Sequence, residues 1–344
     1  VRAVYIVVGC DVDPDRAALL NGASNTVLTW RGATEGIPAA KTLLRGLTDI
    51  AGREPAFTWF LRADDQVRQV HGAYAWFVEA HESMLRSLEQ SGDELGWHPH
   101  FWRYETAADR WFQEIDDIAW QLDMLRQAHR QLAPRLQQGL HSVRMGWGYH
   151  NDRTCETLEE LGIAVDASSL PGFRTVAGTQ RIARENLFDW RDSPRVPYQP
   201  SQADYRRPPR GPERPRRLLE IPSFVSQSRW WGLAGGVQLV RKTGHLEHLW
   251  SQLRRPSYCI NVTGRPALFA PVVAQLRRTL RQGGNEPVVF ATHCHADEFV
   301  PNRSPLYDLA AVRTNLAAVL RACAEARTPA AFVRASQVPA LWQP

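Results

Sequence analysis

Residues 3–16 read AVYIVVGCDVDPDR, an apolar, β-branched run that stops at two aspartates, Asp11 and Asp13, and at Pro14. A run of this length and composition is a buried strand, and the switch to acidic residues and proline marks its end. The same pattern recurs along the chain in FTWFLR (57–62), ELGWH (94–98), SVRMG (142–146), IAVDAS (163–168), LLEIPS (218–223), PVVFATH (287–293) and AAFVRAS (330–336). Between these runs, apolar residues three and four apart predict helices over 71–91, about 107–132, 152–161, 269–281 and 307–326. Asn151 stands where an N-cap belongs, and Gly162 where a left-handed C-terminal residue belongs. Strands alternating with crossover helices predict a parallel sheet. Seven or eight such units in 344 residues predict one distorted (β/α) barrel of about seven parallel strands over 1–344, not two domains.

In such a barrel the chemistry sits at the C-terminal strand ends, where the βα loops converge, so reactive side chains should follow the apolar runs. They do: Asp11 and Asp13 after the first, His98 and His100 after the third, Arg144 after the fourth, and His293 and His295 in FATHCHADEF. Side chains at i and i+2 of an extended segment share a face about 6 to 7 Å apart. Asp11 with Asp13, and His98 with His100, can therefore each reach a common point. Alone, an Asp-rich turn is a helix cap and His98-Pro99-His100 a surface loop. Together at neighbouring strand ends they form a carboxylate and imidazole set suited to a divalent ion with a position left for water. His293 and His295 offer either a fourth ligand or a general acid near a departing group.

Composition excludes several classes. At 44% hydrophobic and 22% charged, the chain is an ordinary globular one. No apolar run approaches the roughly 18 to 20 residues of a membrane span, and VRAVYIVVGC is too short and badly flanked for a secretory signal, so the expectation is a cytoplasmic protein. Five cysteines without CxxC spacing predict no disulfide framework and agree with that location. Net charge is +5, and YRRPPRGPERPRR (205–217) holds six arginines and one glutamate, an excess of five by itself. This Pro/Arg-rich segment, about 199–217, reads as a solvated, mobile loop, with an arginine lid for an anion as the alternative. No aromatic interleaving accompanies the charge, which argues against nucleic acid.

Taken in order, CDVDPDR, GDELGWHPHF, VRMGWGYHNDRTCETLEELGIAVDASS, FDWRDSP and FATHCHADEF resemble the polysaccharide deacetylases, the NodB-homology group of metal-dependent carbohydrate deacetylases. The resemblance spans most of the chain. It implies that Asp11 is the catalytic base, that Asp13 and His98 bind the metal, and that Arg144 holds Asp11 ionised and oriented. It implies further that Asp189 or Asp192 tunes an acid histidine, which is His295 or His293, with His295 favoured by the segment after it. The sequence departs from the family at three places. Position 102 is Trp102 where a second histidine ligand is usual, so His100 takes that role; Gly146 stands in place of the proline after the arginine; Val12 splits the usual aspartate pair. These mark a divergent member.

The implied activity is removal of an acetyl group from an N-acetylated sugar or glycan intermediate. The implied cofactor is a divalent ion, zinc first, with cobalt, manganese or nickel as alternatives. Hydrolysis of another non-peptide C–N amide bond, and an inactive carbohydrate-binding homologue, are the rival readings. Thirteen tryptophans are many for this length. Trp30, Trp97, Trp102, Trp147, Trp190, Trp230 and Trp231 fall near the expected mouth, where indole faces can stack on sugar rings. Trp147, Tyr149, Trp190 and His293 are the candidate substrate-binding residues, and Trp230-Trp231 the candidate exposed pair.

Overall fold

The apolar runs become eight strands: β1 (Val4–Val12), β2 (Phe57–Leu61), β3 (Glu94–Trp97), β4 (Ser142–Val143), β5 (Val165–Asp166), β6 (Leu219–Glu220), β7 (Val288–His295) and β8 (Ala330–Phe332). The computed structural model describes residues 2–15, 27–175, 188–243, 246–301 and 305–342. All the pairings within this sheet are parallel, in the order β6-β5-β4-β3-β2-β1-β7, with β8 also on β1. β8 takes the N-terminal half of β1 at residues 4–6, and β2 takes the C-terminal half at residues 8–12. Two strands sharing one edge in this way distort the barrel. On the far side it is closed by single backbone bonds, from Phe224 N–H to Ala291 O at 2.8 Å and from Val262 N–H to His293 O at 2.9 Å.

Strand alternation sorts each run into two faces. Val4, Ile6, Val8, Cys10 and Val12 join the large core between sheet and helices, whereas Val7 packs inside the barrel with Phe60, Val165, Ala167, Leu219, Ile221, Val289 and Ala291. Phe60 fills the barrel because its neighbours across the sheet lack side chains. A Cβ on Gly9 would lie 2.9 Å from its ring and one on Gly96 2.7 Å. Continued past the strand ends, the inward alternation carries Asp11, Asp13, Arg62, His98, His100, Arg144, His293 and His295 to the barrel mouth.

Two predicted helices change shape. The pattern over 107–132 is helical only from Ile118 to Leu132, because Trp102–Glu105 and Arg110–Gln113 pair as an antiparallel hairpin. The stretch 71–91 lies on three short helices, Asp65–His71, Trp76–Ala80 and Glu82–Gln90, the first stopped by Gly72 at φ 91°. The helix at Asp152–Glu160 is capped by Asn151 as expected, and Gly162 has φ 81°. The Pro/Arg-rich segment keeps Arg210, Arg214 and Arg217 exposed, but its other three arginines are paired. Arg207 is paired with Glu213 and Asp204, Arg206 with Asp204 and Asp189, and Arg216, nearly buried, with Glu159 and Asp152.

That segment covers a polar network on the outer face of β5 and β6. Glu220 lies opposite Asp166 in register, and both are buried. Asp166 accepts from Ser168 N–H at 3.0 Å, its other oxygen lies 2.7 Å from His150 Nε2, and Glu220 accepts from Ser169 N–H at 2.8 Å. Burial first, then the Asp166 charge, pushes the Glu220 carboxyl well above its ordinary value; burial acts the same way on Asp166, but His150 and Ser168 outweigh it and hold that group low. Glu220 therefore keeps a proton that it shares with Asp166.

A raised folded-state pKa contributes stability that is complete below the unfolded carboxyl value of about 4.3 and is lost as pH rises through the folded value. Glu220→Gln supplies the neutral donor without titrating. Its melting temperature relative to wild type should therefore rise between pH 5 and pH 8, and an offset unchanged with pH would refute the shared proton.

Candidate functional site

The site begins with two carboxylates on the inward face at the end of β1. Asp11 is 2% exposed and Asp13 4%, so each needs cationic partners. Arg144 Nε lies 3.0 Å from Asp11 and its Nη1 donates to Ala167 O at 2.7 Å, so the guanidinium is fixed from two sides. Burial would raise the Asp11 pKa, but Arg144, then His98, His295 and His293, outweigh it and hold the group below its ordinary value. Asp13 is held well below: burial opposes, while His98, His295 and Arg62 favour the anion. Both carboxylates are ionised.

Two imidazoles face Asp13. His98 Nε2 is 3.4 Å from Asp13 Oδ2, His100 Nε2 is 3.6 Å from Asp13 Oδ1, and the two Nε2 atoms are 3.1 Å apart. His98 Nδ1 lies 2.5 Å from Arg144 O. A carbonyl can only accept, so Nδ1 carries a proton and Nε2 faces a carboxylate oxygen; burial opposes the charged ring, but Asp11 and Asp13 outweigh it and raise the His98 pKa. Either a proton on Nε2 or a metal ion can fill the place between that nitrogen and the carboxylate. One ligand atom each from Asp13, His98 and His100 lies within 4.8 Å of the others, which fits a divalent ion. Burial first, then Arg62, holds the His100 pKa well below its ordinary value, so its nitrogen is free to ligate.

β7 supplies the other wall. The β1–β7 register sets Asp11 opposite His295 and Gly9 opposite His293. His295 Nδ1 is 3.4 Å from Asp13 Oδ2 and 3.9 Å from Asp11 Oδ2, with the ring partly open to solvent. His293 sits one step deeper, buried, with its ring centroid 6.3 Å from that of His295. Asp189 and Asp192 stand elsewhere. Asp189 is paired with Arg191 at 2.7 Å and with Arg206 at 3.7 Å, while Asp192 is almost fully exposed and 3.7 Å from Arg255. Their carboxylates are spent on arginines of the rim, not on His295.

Aromatic residues divide between mouth and support. Trp147 is the exposed one, at 39%, with its ring centroid 6.4 Å from His100. Its φ of 59° is unusual for a bulky residue. The turn is pinned by Gly146 N–H to Pro99 O at 2.8 Å and Gly148 N–H to Met145 O at 2.9 Å. Trp190, Tyr149, Trp102, Trp97 and Trp30 are buried. Trp190 donates to Gly148 O at 2.8 Å and Tyr149 to Ile115 O at 3.3 Å, so they brace the turn from below. Trp102, at the position of the usual second histidine, stacks on His100 with centroids 6.3 Å apart and planes 11° apart.

Arg62 and Asp64 also belong to this cluster, and sequence reading missed them. Arg62 is fully buried, donates to Asp13 Oδ1 at 2.7 Å and to Gln66 at 2.9 Å, and pairs with Asp64. Asp64 accepts the His100 backbone N–H at 3.0 Å and caps the helix Asp65–His71. One pair thus orients the Asp13 carboxylate and the backbone of His100. The signal was present, since FTWFLRAD is also an apolar run ending in charge.

No protein-family model and no curated protein sequence matches the chain. Among solved structures, one described as a polysaccharide deacetylase from Mycobacterium smegmatis is similar at 14% identity and TM-score 0.48, over 98% of this chain and 89% of that one. The PuuE allantoinase is similar at 12% identity and TM-score 0.51, over 98% and 90%. A glycoside hydrolase/deacetylase, as described, from Parabacteroides distasonis is similar at 13% identity and TM-score 0.54, over 99% and 71%. The last two carry the comparison, and what they share with this chain is the fold, the one the sequence resemblance implied.

Elemental mass spectrometry on the purified chain should find about one divalent ion per molecule, lost in Asp13→Ala, His98→Ala and His100→Ala. Gly146→Ala tests the geometry without removing a ligand. A Cβ there would fall 2.2 Å from the His100 ring, so metal affinity should drop about 10- to 100-fold, as when ligand support is disturbed. Full retention of the ion would show that His100 is not a ligand.

Proposed function

We propose that the chain is a metal-dependent hydrolase that removes an acetyl group from an N-acetylated sugar or glycan. The observation that carries this reading is the convergence, at one end of the barrel, of a buried Asp13-His98-His100 cluster, an ionised Asp11 clamped by Arg144, and His295 across from Asp11. Asp13, His98 and His100 would hold the ion, with zinc favoured by the one-carboxylate, two-imidazole set. A divalent ion at such a site lowers the pKa of water from about 15.7 towards 7 and polarises an acyl carbonyl.

The chain's own groups supply the remaining chemistry. Asp11, kept ionised by Arg144, accepts the proton of the attacking water. His295, beside both carboxylates and partly open to solvent, delivers a proton to the departing amine. His293, one step deeper, supports the wall behind it. Trp147 offers an indole face at the mouth on which a sugar ring can stack. The free cysteines accord with a reducing compartment, the cytoplasm, and their thiols are not rival nucleophiles. Cys155 lies 3.5 Å from His150, which contacts Asp166, but burial pushes the thiol well above its ordinary pKa.

The depth of the site favours one further reading. Asp13, His98 and His100 are all buried, so an acetyl arm can reach them while the sugar stays at Trp147; a small cyclic amide could enter whole. Acetate release from N-acetylated sugars, set against ring opening of cyclic ureides, separates the two. Asp11→Asn and His295→Ala should each lower kcat by about 10²- to 10⁴-fold with the metal content unchanged. Asp13→Ala should lose metal and activity together. Wild-type activity in a metal-free preparation would refute the proposal.

A further inference from the structure

Two segments of the chain each carry an excess of five positive charges. In 205–217 Arg206, Arg207 and Arg216 form ion pairs with Asp189, Asp152, Glu159, Asp204 and Glu213, while Arg210, Arg214 and Arg217 are exposed. Residues 229–265 hold six arginines and lysines against one glutamate. Among the described residues, no ion pair engages Arg229, Arg254 or Arg265, and all three are exposed.

The same segment exposes large apolar side chains. Two helices, Arg229–Thr243 and Glu247–Arg254, pack on each other as an antiparallel pair, with Gly232 of the first against Gln252 and Pro256 at the end of the second. Trp230 is 76% exposed, Trp250 and Leu246 63% each, and Val237 and Leu253 more than 40%. Trp230 and Val237 are seven apart, and Leu246, Trp250 and Leu253 four and seven apart, so each helix turns an apolar stripe to solvent. Trp231, by contrast, folds back against Tyr258, with ring centroids 5.2 Å apart. The base of the pair is tied to the barrel rim. Arg255 donates to Arg191 O at 2.8 Å and to Ser193 O at 2.7 Å, and Ser226 bridges Tyr258.

We infer that this helical pair docks the protein on the surface of an anionic lipid bilayer. Indole and leucine side chains favour the boundary between headgroups and acyl chains, and arginines beside them favour lipid phosphates. Charge complementarity selects this occupant, since a purely apolar protein partner gives no use to the unpaired arginines. No described helix is long and apolar enough to cross a membrane, so the contact is peripheral. The inference is independent of the reaction proposed above.

The test uses the full chain and sedimentation with vesicles of phosphatidylcholine alone or mixed with phosphatidylglycerol. Wild type should co-sediment with the mixed vesicles, weakly with phosphatidylcholine, and less as salt rises. Trp230→Ser/Trp250→Ser should weaken binding about tenfold or more, and Arg229→Gln/Arg254→Gln about thirtyfold, with circular dichroism and metal content unchanged. Absence of wild-type binding to the mixed vesicles overturns the inference, as does equal binding to both vesicle types or undiminished binding by either double variant. So does a concentration-dependent dimer abolished by the tryptophan substitutions without vesicle binding, which would assign the face to a second copy.

Discussion

Two carboxylates buried side by side at the end of one strand are the constraint on which the rest of the mouth depends. Asp11 and Asp13 cannot be ionised in a nearly closed site without cations, because an uncompensated buried charge costs several kcal/mol. The fold brings two arginines, Arg144 onto Asp11 and Arg62 onto Asp13, and places His98, His100 and His295 around them. The division is chemically useful. Arg144 holds Asp11, whereas Arg62 and His100 face one oxygen of Asp13 and His98 and His295 the other.

Two departures from the deacetylase pattern, Trp102 and Gly146, meet at His100. With Trp102 in place of the usual second histidine, His100 moves to the cluster two residues after His98 and is sandwiched by Trp102. That position is open only because residue 146 is glycine, since any β-carbon would strike the imidazole ring. The next residue, Trp147, has φ 59° and stands at the mouth. Trp102 and Gly146 are thus one local solution: His100 lies against the indole of one and in the space left by the other.

Most of the architecture was legible in the sequence, since each apolar run became a strand of one parallel sheet and reactive residues followed several of them. The physical reason is local: a parallel strand buried on both faces must be apolar, and its C-terminal end must turn polar where it meets solvent. Helix boundaries were legible where caps are strong, as at Asn151, and illegible at 102–113. There an aromatic-rich hairpin carries apolar spacing that a helix could also explain. The rim was the least legible part. Whether an arginine is solvated or paired depends on acids distant in sequence, as with Arg216 and Glu159 or Arg206 and Asp189.

By itself the sequence determined the strand pattern, the inward alternation of Asp11 with Asp13 and of His98 with His100, and the presence of enough ligating groups for one metal centre. Only the tertiary structure decided which of them meet. The register of β1 on β7 put His295, not His293, opposite Asp11; β2 delivered Arg62 to Asp13; and the rim arginines took Asp189 and Asp192 away from the histidines. Alternation within a strand is a property of the local backbone, whereas register between strands, and the pairing of charges far apart in the chain, are settled by packing of the whole barrel.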